Sequence, residues 1–450
     1  MLQRFGDALN RWSKKYVPDP FIFAILLTFL TFILGILVAK NSVMQMIQHW
    51  GKGFWNLLAF SMQMCLILVT GHAVASSPPV RKLLKSVASI PKNSRQAVYL
   101  VGFFACFTGL INWGLGLIVG ALLAREVAKQ GYLRGIKMHY PLIVAAGYLG
   151  LMVWHGGLSG SAPLLVATET HFLKDQIGVI PASATLFSPM NLVVSLGLLF
   201  LAPLFAMWIH PKQDFQEISP ALVEEDKLAV ATEPQSTADV GTFAARLENS
   251  AVLSYIMGIA GLVYAVWYFS QKGFAGLNLD IVNFIFLMLG ILLHTTPIRY
   301  VRAVAEAAKG VSGVILQFPF YAGIMGMMGG SGLVKIVADW FVAISTPVTY
   351  PLYTFLSASL VNLFVPSGGG QWAVQGPVMV QAASQLGVPI SKTIMAVAYG
   401  DQLTNMLQPF WAIALLGITK LKARDIIGYT LGVMLLSLVF IGICVLVLPG

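Results

Sequence analysis

The run Pro366-Ser367-Gly368-Gly369-Gly370-Gln371 decides how this chain is to be read. It lies inside 340–391, a stretch with no charged residue and far longer than one membrane-spanning helix needs. A proline and three consecutive glycines interrupt a helix, yet apolar sequence resumes on the other side. Two half-length helices meeting at such a break form a re-entrant hairpin, which enters and leaves a membrane on one side. A second break, Asn112-Trp113-Gly114-Leu115-Gly116, divides 97–128 in the same way. A kinked crossing is the alternative at both places, and loop charge can arbitrate.

Composition puts these breaks in lipid. Of 450 residues, 57% are apolar and 10% charged, against about 45–50% and about 25% in soluble chains. Uncharged stretches recur at 53–80, 96–124, 138–168, 176–211 and 426–450. An all-α polytopic membrane protein is expected, with full spans near 20–40, 54–76, 140–166, 185–208, 250–270, 279–297, 310–328, 393–418 and 426–448. With these nine spans, two hairpins and a cytoplasmic N-terminus, 22 of the 28 Lys and Arg fall on the cytoplasmic side. Only Lys40, Lys52, Lys174, Lys272, Lys335 and Lys392 fall outside. Counting either break as a crossing would swap every later loop, so the hairpin reading wins. The C-terminus is then external.

The net charge of +10 therefore marks cytoplasmic loops, not a nucleic-acid partner. Cys65, Cys106 and Cys444 have no disulfide or metal spacing. There is no phosphate-binding G-x-x-x-x-G-K-[ST] loop, no His-Glu-x-x-His and no nucleophile–base constellation. Neither an ATP-driven pump nor an enzyme is expected, and no cofactor is implied.

The organisation reads as a leader at 1–19, a first repeat at 20–208 and a polar cytoplasmic linker at 209–249. A connecting span at 250–270 and a second repeat at 279–448 follow. Hairpin and broken span fall at 97–128 and 140–166 in the first repeat, and at 350–385 and 393–418 in the second. An offset of 254 pairs Gln63 with Gln317 and Ser77 with Ser331; one near 250 pairs Asn112 with Asn362 and Tyr148 with Tyr399. The extra span turns the second unit over, giving the inverted repeat common in alternating-access carriers.

Four irregular segments then converge: the two hairpin tips and the interruptions Trp154–Pro163 and Gly400–Pro409. Half-helix N-termini suit an anion, and unwound carbonyls with Ser, Thr and Asn oxygens suit a cation such as Na⁺. Asp401 is the only acidic residue at membrane depth. Its ionised form costs about 2.5–3.5 kcal/mol there, so it needs a cation, a proton or a structural partner. The three glycines permit close backbone approach to a small ligand. His155 and Gln371 join the candidates; His155 and His72 also have the ordinary reading of hydrogen-bonded packing residues. Gln63 and Gln317 are expected to bond between helices, and Gly116…Gly120 to allow close packing. No Lys or Arg lies in the four segments, which suits a small, weakly bound monoanion.

The runs VPDPFIFA (17–24), GFWNLLAF (53–60), VTGH (69–72), INWGLG (111–116), GLSGS (157–161), QFPFYAG (317–323), VPSGGG (365–370) and QPFW (408–411) resemble the bacterial short-chain fatty acid transporter family over nearly the whole length. The resemblance implies uptake of acetoacetate- and butyrate-like acids across the bacterial inner membrane. It also implies the ion transporter superfamily, with its elevator-type scaffold and transport domains and its usual homodimer. By position, the implied substrate site is Asn112, Trp113, Gly114, Ser159, Ser161, Ser367, Gly368, Gly369, Gly370, Thr404, Asn405 and Gln408. Coupling to Na⁺ or H⁺ would fall to Asp401, with Asn112 and Asn405. Against the family pattern the chain carries Asp for Glu at 401, Gln for His at 371 and His for glycine at 155. An uncoupled facilitator or channel, or a cation/proton antiporter, is the competing expectation.

Overall fold

The computed structural model describes residues 20–211, 215–224, 242–363 and 365–449. The expected leader at 1–19, and 212–214 and 225–241 of the linker, lie outside them. The described residues are helical, with no strand among them. The first half runs α1 (Pro20–Leu37), α2 (Val43–Gly53), α3 (Leu58–Ala75), α4 (Pro78–Ala88), α5 (Ser94–Ile111) and α6 (Trp113–Leu133). It continues with α7 (Tyr140–Gly147), two 3₁₀ turns at Leu149–Met152 and Trp154–Gly156, α8 (Ser161–Val166) and α9 (Pro189–Trp208). The second half runs α10 (Ala251–Lys272), α11 (Leu279–His294), α12 (Pro297–Ala308), α13 (Ser312–Ser331), α14 (Leu333–Ile344), α15 (Tyr350–Asn362) and α16 (Gly368–Leu386). It closes with α17 (Ile390–Thr404), a 3₁₀ turn at Asn405–Leu407, α18 (Pro409–Thr419) and α19 (Ala423–Val447).

Helices therefore stop at each of the four sites where the sequence interrupts them. Six of the described helices are long and apolar enough to cross a membrane unaided: α3, α5, α9, α10, α13 and α19. Five of these match expected spans, while α5 is an arm of the expected hairpin 97–128; the apolar helix Leu279–His294 and the segment Phe21–Leu37 are shorter, and the other two expected spans are the broken ones. The exposed apolar faces of α1 and α10, including Phe29, Ile33, Val263 and Val266, suit contact with lipid.

The hairpin arms depart from the half-length expectation. Arms of 18 and 21 residues form α5–α6, and arms of 13 and 19 form α15–α16; half a bilayer needs only about 10. Yet both tips sit beside the middle of a neighbouring helix. The Asn112 side-chain amide donates to the Ile67 carbonyl, halfway along α3. Gly370 lies against the Tyr321 ring, halfway along α13. Ile67 and Tyr321 are separated by the same 254 positions that relate Gln63 to Gln317. The surplus length must be tilted or carried past the neighbour's end.

Packing sorts the helices into two groups. One gathers α1, α2 and α3 with α10–α14; the other gathers α5–α9 with α15–α19. The groups meet chiefly where α3 packs on α6 and where both α13 and α14 pack on α16. Inside the second group, Gly116 lies against the Gly109 backbone and Gly120 against the Gly147 carbonyl, so close that a Cβ at either would overlap main chain. This is the close packing the G-x-x-x-G spacing predicts. Gln63 bonds between helices as expected, donating to Asp280 Oδ1 on α11 at 2.6 Å. Gln317 does not: its Oε1 accepts from the Tyr321 hydroxyl one turn along its own helix.

Candidate functional site

The first tip is closed by its own partners. Asn112 caps α6, its Oδ1 accepting the Leu115 N–H at 3.0 Å, while its amide holds α3. The Trp113 N–H donates to Ser159 Oγ at 2.9 Å, so a residue of the first broken span caps the hairpin helix. Such caps satisfy donors that a helix start otherwise leaves bare. Gly114 has no room for a side chain, since a Cβ would lie 3.0 Å from the Leu68 carbonyl oxygen.

The second tip is built differently. Ser367 caps α16 through the Gly370 N–H at 3.3 Å. The amides of Gly368 and Gly369 occupy the first turn, where no intrahelical acceptor exists. A Cβ on Gly368 would stand 2.6 Å from His155 Cε1, 2.8 Å from Trp154 Cη2 and 2.9 Å from Ser161 Oγ. One on Gly369 would stand 2.7 Å from Phe60 Cζ. Glycine is required here by close approach, not by a positive φ. Gln371 is tied within its own hairpin, donating to the Ala358 carbonyl and Gln375 Oε1.

The two broken spans meet in a buried pair. His155 Nδ1 lies 2.7 Å from Asp401 Oδ2, with the side chains 0% and 1% exposed. His155 Nε2 receives the Ala162 N–H at 3.1 Å and contacts Ser161 Oγ at 3.0 Å. The Trp154 ring stacks on the imidazole at 4.4 Å, 15° from parallel. Around the second interruption, the Asn362 amide donates to the Asp401 carbonyl, Thr404 Oγ1 and Asn405 Oδ1. Gln408 Nε2 donates to the Asn362 carbonyl, and the Tyr148 hydroxyl lies 3.0 Å from the carbonyls of both Asn405 and Gln408. Tyr148 from the opposite half and Asn362 from the same half thus satisfy carbonyls that the break in α17–α18 releases.

These segments surround a cavity of about 20 Å³ at the boundary of the two helix groups. Met64, Val314 and Phe318 line it from one group; Trp113, Trp154, Ser367, Gly368, Gly369 and Asn405 line it from the other. The indole N–H groups of Trp113 and Trp154 are buried without acceptors. A vestibule of about 600 Å³ shares Trp113 and Trp411 with this cavity. Leu68, Leu117, Ile118 and Ile413 wall it, and His72, Arg81, Glu306 and Lys309 also line it.

Of the expected site residues, Trp113, Ser367, Gly368, Gly369 and Asn405 line the cavity and Gly114 lines the vestibule. His155, Ser161 and Asp401 form the pair behind Gly368. Asn112, Ser159, Gly370, Gln371, Thr404 and Gln408 hold the frame and are not brought to the cavity wall. The side-chain oxygens of Asn112 and Asn405 already accept protein hydrogen bonds. Among the described residues, no group of three or more His, Cys, Asp or Glu could hold a metal ion. Sequence reasoning missed Trp154 and Trp411 as walls, and Tyr148 and Asn362 as supports. The last two were visible only as repeat matches, which was the available signal.

The fold and site define a polytopic helical membrane protein whose interrupted helices enclose a buried polar centre. The family described as "Short chain fatty acid transporter" matches residues 1–448, and the chain belongs to that family. A relative from Escherichia coli (strain K12) is 43% identical over 97% of this chain and 98% of its own length. One from Haemophilus influenzae is 42% identical over 95% and 96%. Both carry the name "Putative short-chain fatty acid transporter". Among solved structures, the YdaH transporter of Alcanivorax borkumensis has the same fold at 15% identity and a TM-score of 0.56, over 95% of this chain and 98% of that one. MtrF of Neisseria gonorrhoeae follows at 15% identity and 0.50, over 98% and 96%.

Proposed function

We propose that this protein carries small monocarboxylates, acetoacetate and butyrate among them, across the bacterial inner membrane by elevator-type alternating access. The group containing α3 and α13 is the scaffold, and the group containing both hairpins moves against it. The hairpins are re-entrant, the two repeats are inverted, the N-terminus is cytoplasmic and the carrier is a homodimer. Transport is coupled to a cation or a proton.

One observation carries the reading. The cavity lies at the boundary between the two helix groups and is lined by Trp113 and Trp154, whose buried indole N–H groups have no acceptors, and by Gly368 and Gly369, whose amides open α16. Dipoles of that kind favour an anion without a fixed cation, and the apolar walls Met64, Val314 and Phe318 suit a short acyl chain. The constriction must open to admit it, as movement at a boundary between helix groups allows. The vestibule runs to Arg81 and Lys309, which the charge bias assigns to the cytoplasmic side.

The test is counterflow in proteoliposomes: vesicles preloaded with unlabelled acetoacetate should take up labelled acetoacetate or butyrate faster than protein-free vesicles. Uptake no faster than the lipid leak, for every acid of two to six carbons, removes the proposal. Accumulation that no imposed ion gradient can drive would leave a facilitator.

A further inference from the structure

The pair His155–Asp401 has features that packing alone does not explain. A backbone N–H can only donate, so the 3.1 Å contact from Ala162 makes His155 Nε2 an acceptor. The ring proton is then on Nδ1, donated to Asp401 Oδ2. Asp401 Oδ1, by contrast, is buried with no partner. Among the described residues the carboxylate's only hydrogen-bond or ion-pair partner is His155. One oxygen of this buried acid is thus left bare.

The pair also touches the substrate tip. Gly368 packs against His155 Cε1, Trp154 and Ser161 Oγ, and Gly368, Trp154 and Trp113 line the cavity. An anion held there shares its surroundings with one fixed negative charge and no fixed positive one. The packed elements α5, α8, α15, α16, α17 and α19 bring their charged groups only at distant ends: Arg95, Lys392, Arg424 and Asp425. Lys392 lies ~2.5 turns from Asp401 along α17 and donates to the Leu448 carbonyl. The remaining ionisable neighbours are tyrosines and cysteines; the hydroxyls of Tyr148 and Tyr399 are bonded to main-chain oxygens and to Asn191.

We propose that His155 and Asp401 are the proton-binding unit of this carrier, so that one H⁺ taken up by the pair accompanies each monocarboxylate anion. The inference rests on the carrier reading above and names its coupling ion. The added proton goes to the bare Asp401 Oδ1, converting the carboxylate to the acid. Alternatively it goes to Nε2, with a positive imidazole held between Asp401 and the Trp154 face. The second course expels the Ala162 N–H and shifts the start of α8, which carries Ser161 away from Gly368. Either course cancels the local negative charge, so proton and anion each favour the other's binding. The proton enters from water on one side and returns to water on the other. One anion with one H⁺ moves no net charge.

The experiment uses the full-length protein in proteoliposomes with labelled acetoacetate, subtracting the leak of protein-free vesicles because protonated short acids cross lipid unaided. For wild type, an inward-directed proton gradient should drive accumulation and a Na⁺ gradient should not. Asp401→Asn and His155→Gln should lose proton-driven accumulation to the protein-free level, and the counterflow that either retains should no longer change between acid and neutral pH. Purified wild type should also take up protons from weakly buffered solution on adding acetoacetate; Asp401→Asn should not. A wild type driven by Na⁺ and not by H⁺, or variants that still accumulate on a proton gradient, overturns the proposal. Equal loss of counterflow and accumulation in both variants, with wild type taking up no protons on binding, shows a structural pair and also overturns it. A wild type without any counterflow sinks the carrier reading itself, a distinct result.

Discussion

The two hairpin tips are built from matching parts and finished differently. Each is a helix start capped by a small polar side chain, Asn112 or Ser367, beside the middle of a long helix. At the first tip two main-chain donors and the cap's own amide are met: Trp113 N–H by Ser159, Leu115 N–H by Asn112, and the Asn112 amide by α3. At the second, the amides of Gly368 and Gly369 face a cavity and the glycines abut aromatic rings, the His155 imidazole and a serine hydroxyl. A saturated helix start fixes position; an unsaturated one leaves a dipole for a ligand. Two tips of matching parts can thus be given separate tasks.

The sharpest way to break this contrast is a methyl group at each tip. Gly368→Ala drives a Cβ into His155 and Trp154; overpacking of about 1–3 kcal/mol falls on the ligand side and should weaken carboxylate affinity about 10–100-fold. Labelled-acid binding to purified protein measures this, alongside melting temperature. Gly114→Ala, against the Leu68 carbonyl, should instead lower thermal stability with affinity nearly unchanged. Equal losses of both kinds at both tips would erase the distinction.

Removing the caps is the next largest change. Asn112→Ala deletes a cap and a tie to α3, so about 1–2 kcal/mol of stability should go while the KM of folded protein holds. Ser367→Ala, which loses one longer bond, should cost less stability and raise KM. A smaller effect is expected from the indoles. Trp113→Phe and Trp154→Phe keep the ring bulk and delete an acceptor-less donor; each should raise KM about 3–10-fold, the value of one hydrogen bond. Smaller still, Arg81→Gln with Lys309→Gln at the vestibule should slow uptake from the vestibule side a few-fold at low salt. The effect should fade above about 0.3 M, as screened steering does.

Acid bounds all of these measurements. His139 is buried between the Tyr429 hydroxyl and the Gln216 N–H. Burial, with the neighbouring His210, lowers its pKa from 6.5 to about 4. The unfolded chain therefore binds more protons in that window. His139's contribution to stability is complete above about pH 6.5 and is lost as pH falls toward 4. Thermal melts between pH 7.5 and 4.5 should show the decline, and His139→Gln should flatten it.

Much of the fold was legible because its cues are local. Helices break at Asn112 and at Pro366–Ser367, where polar caps and a proline interrupt apolar sequence, and the glycines that follow open the next helix. Arm length was misjudged because helix geometry does not say how far past its neighbour a hairpin extends. At the site, the glycines, Asp401 and Trp113 were recognised by residue type. The supports Tyr148 and Asn362 were not, since their meaning lies in carbonyls more than 30 residues away.

The amino-acid order alone settled where helices break, how many apolar segments there are and which family the chain resembles, since backbone chemistry and hydropathy act residue by residue. Only the tertiary structure decided that Ser159 caps a helix it does not belong to and that the first amide of α6 meets a hydroxyl while Gly368 opens α16 against a cavity. It also decided that His155 reaches Asp401 across 246 positions. The reason is physical: whether a donor has an acceptor depends on what packing brings within 3 Å of it, and no single residue carries that information.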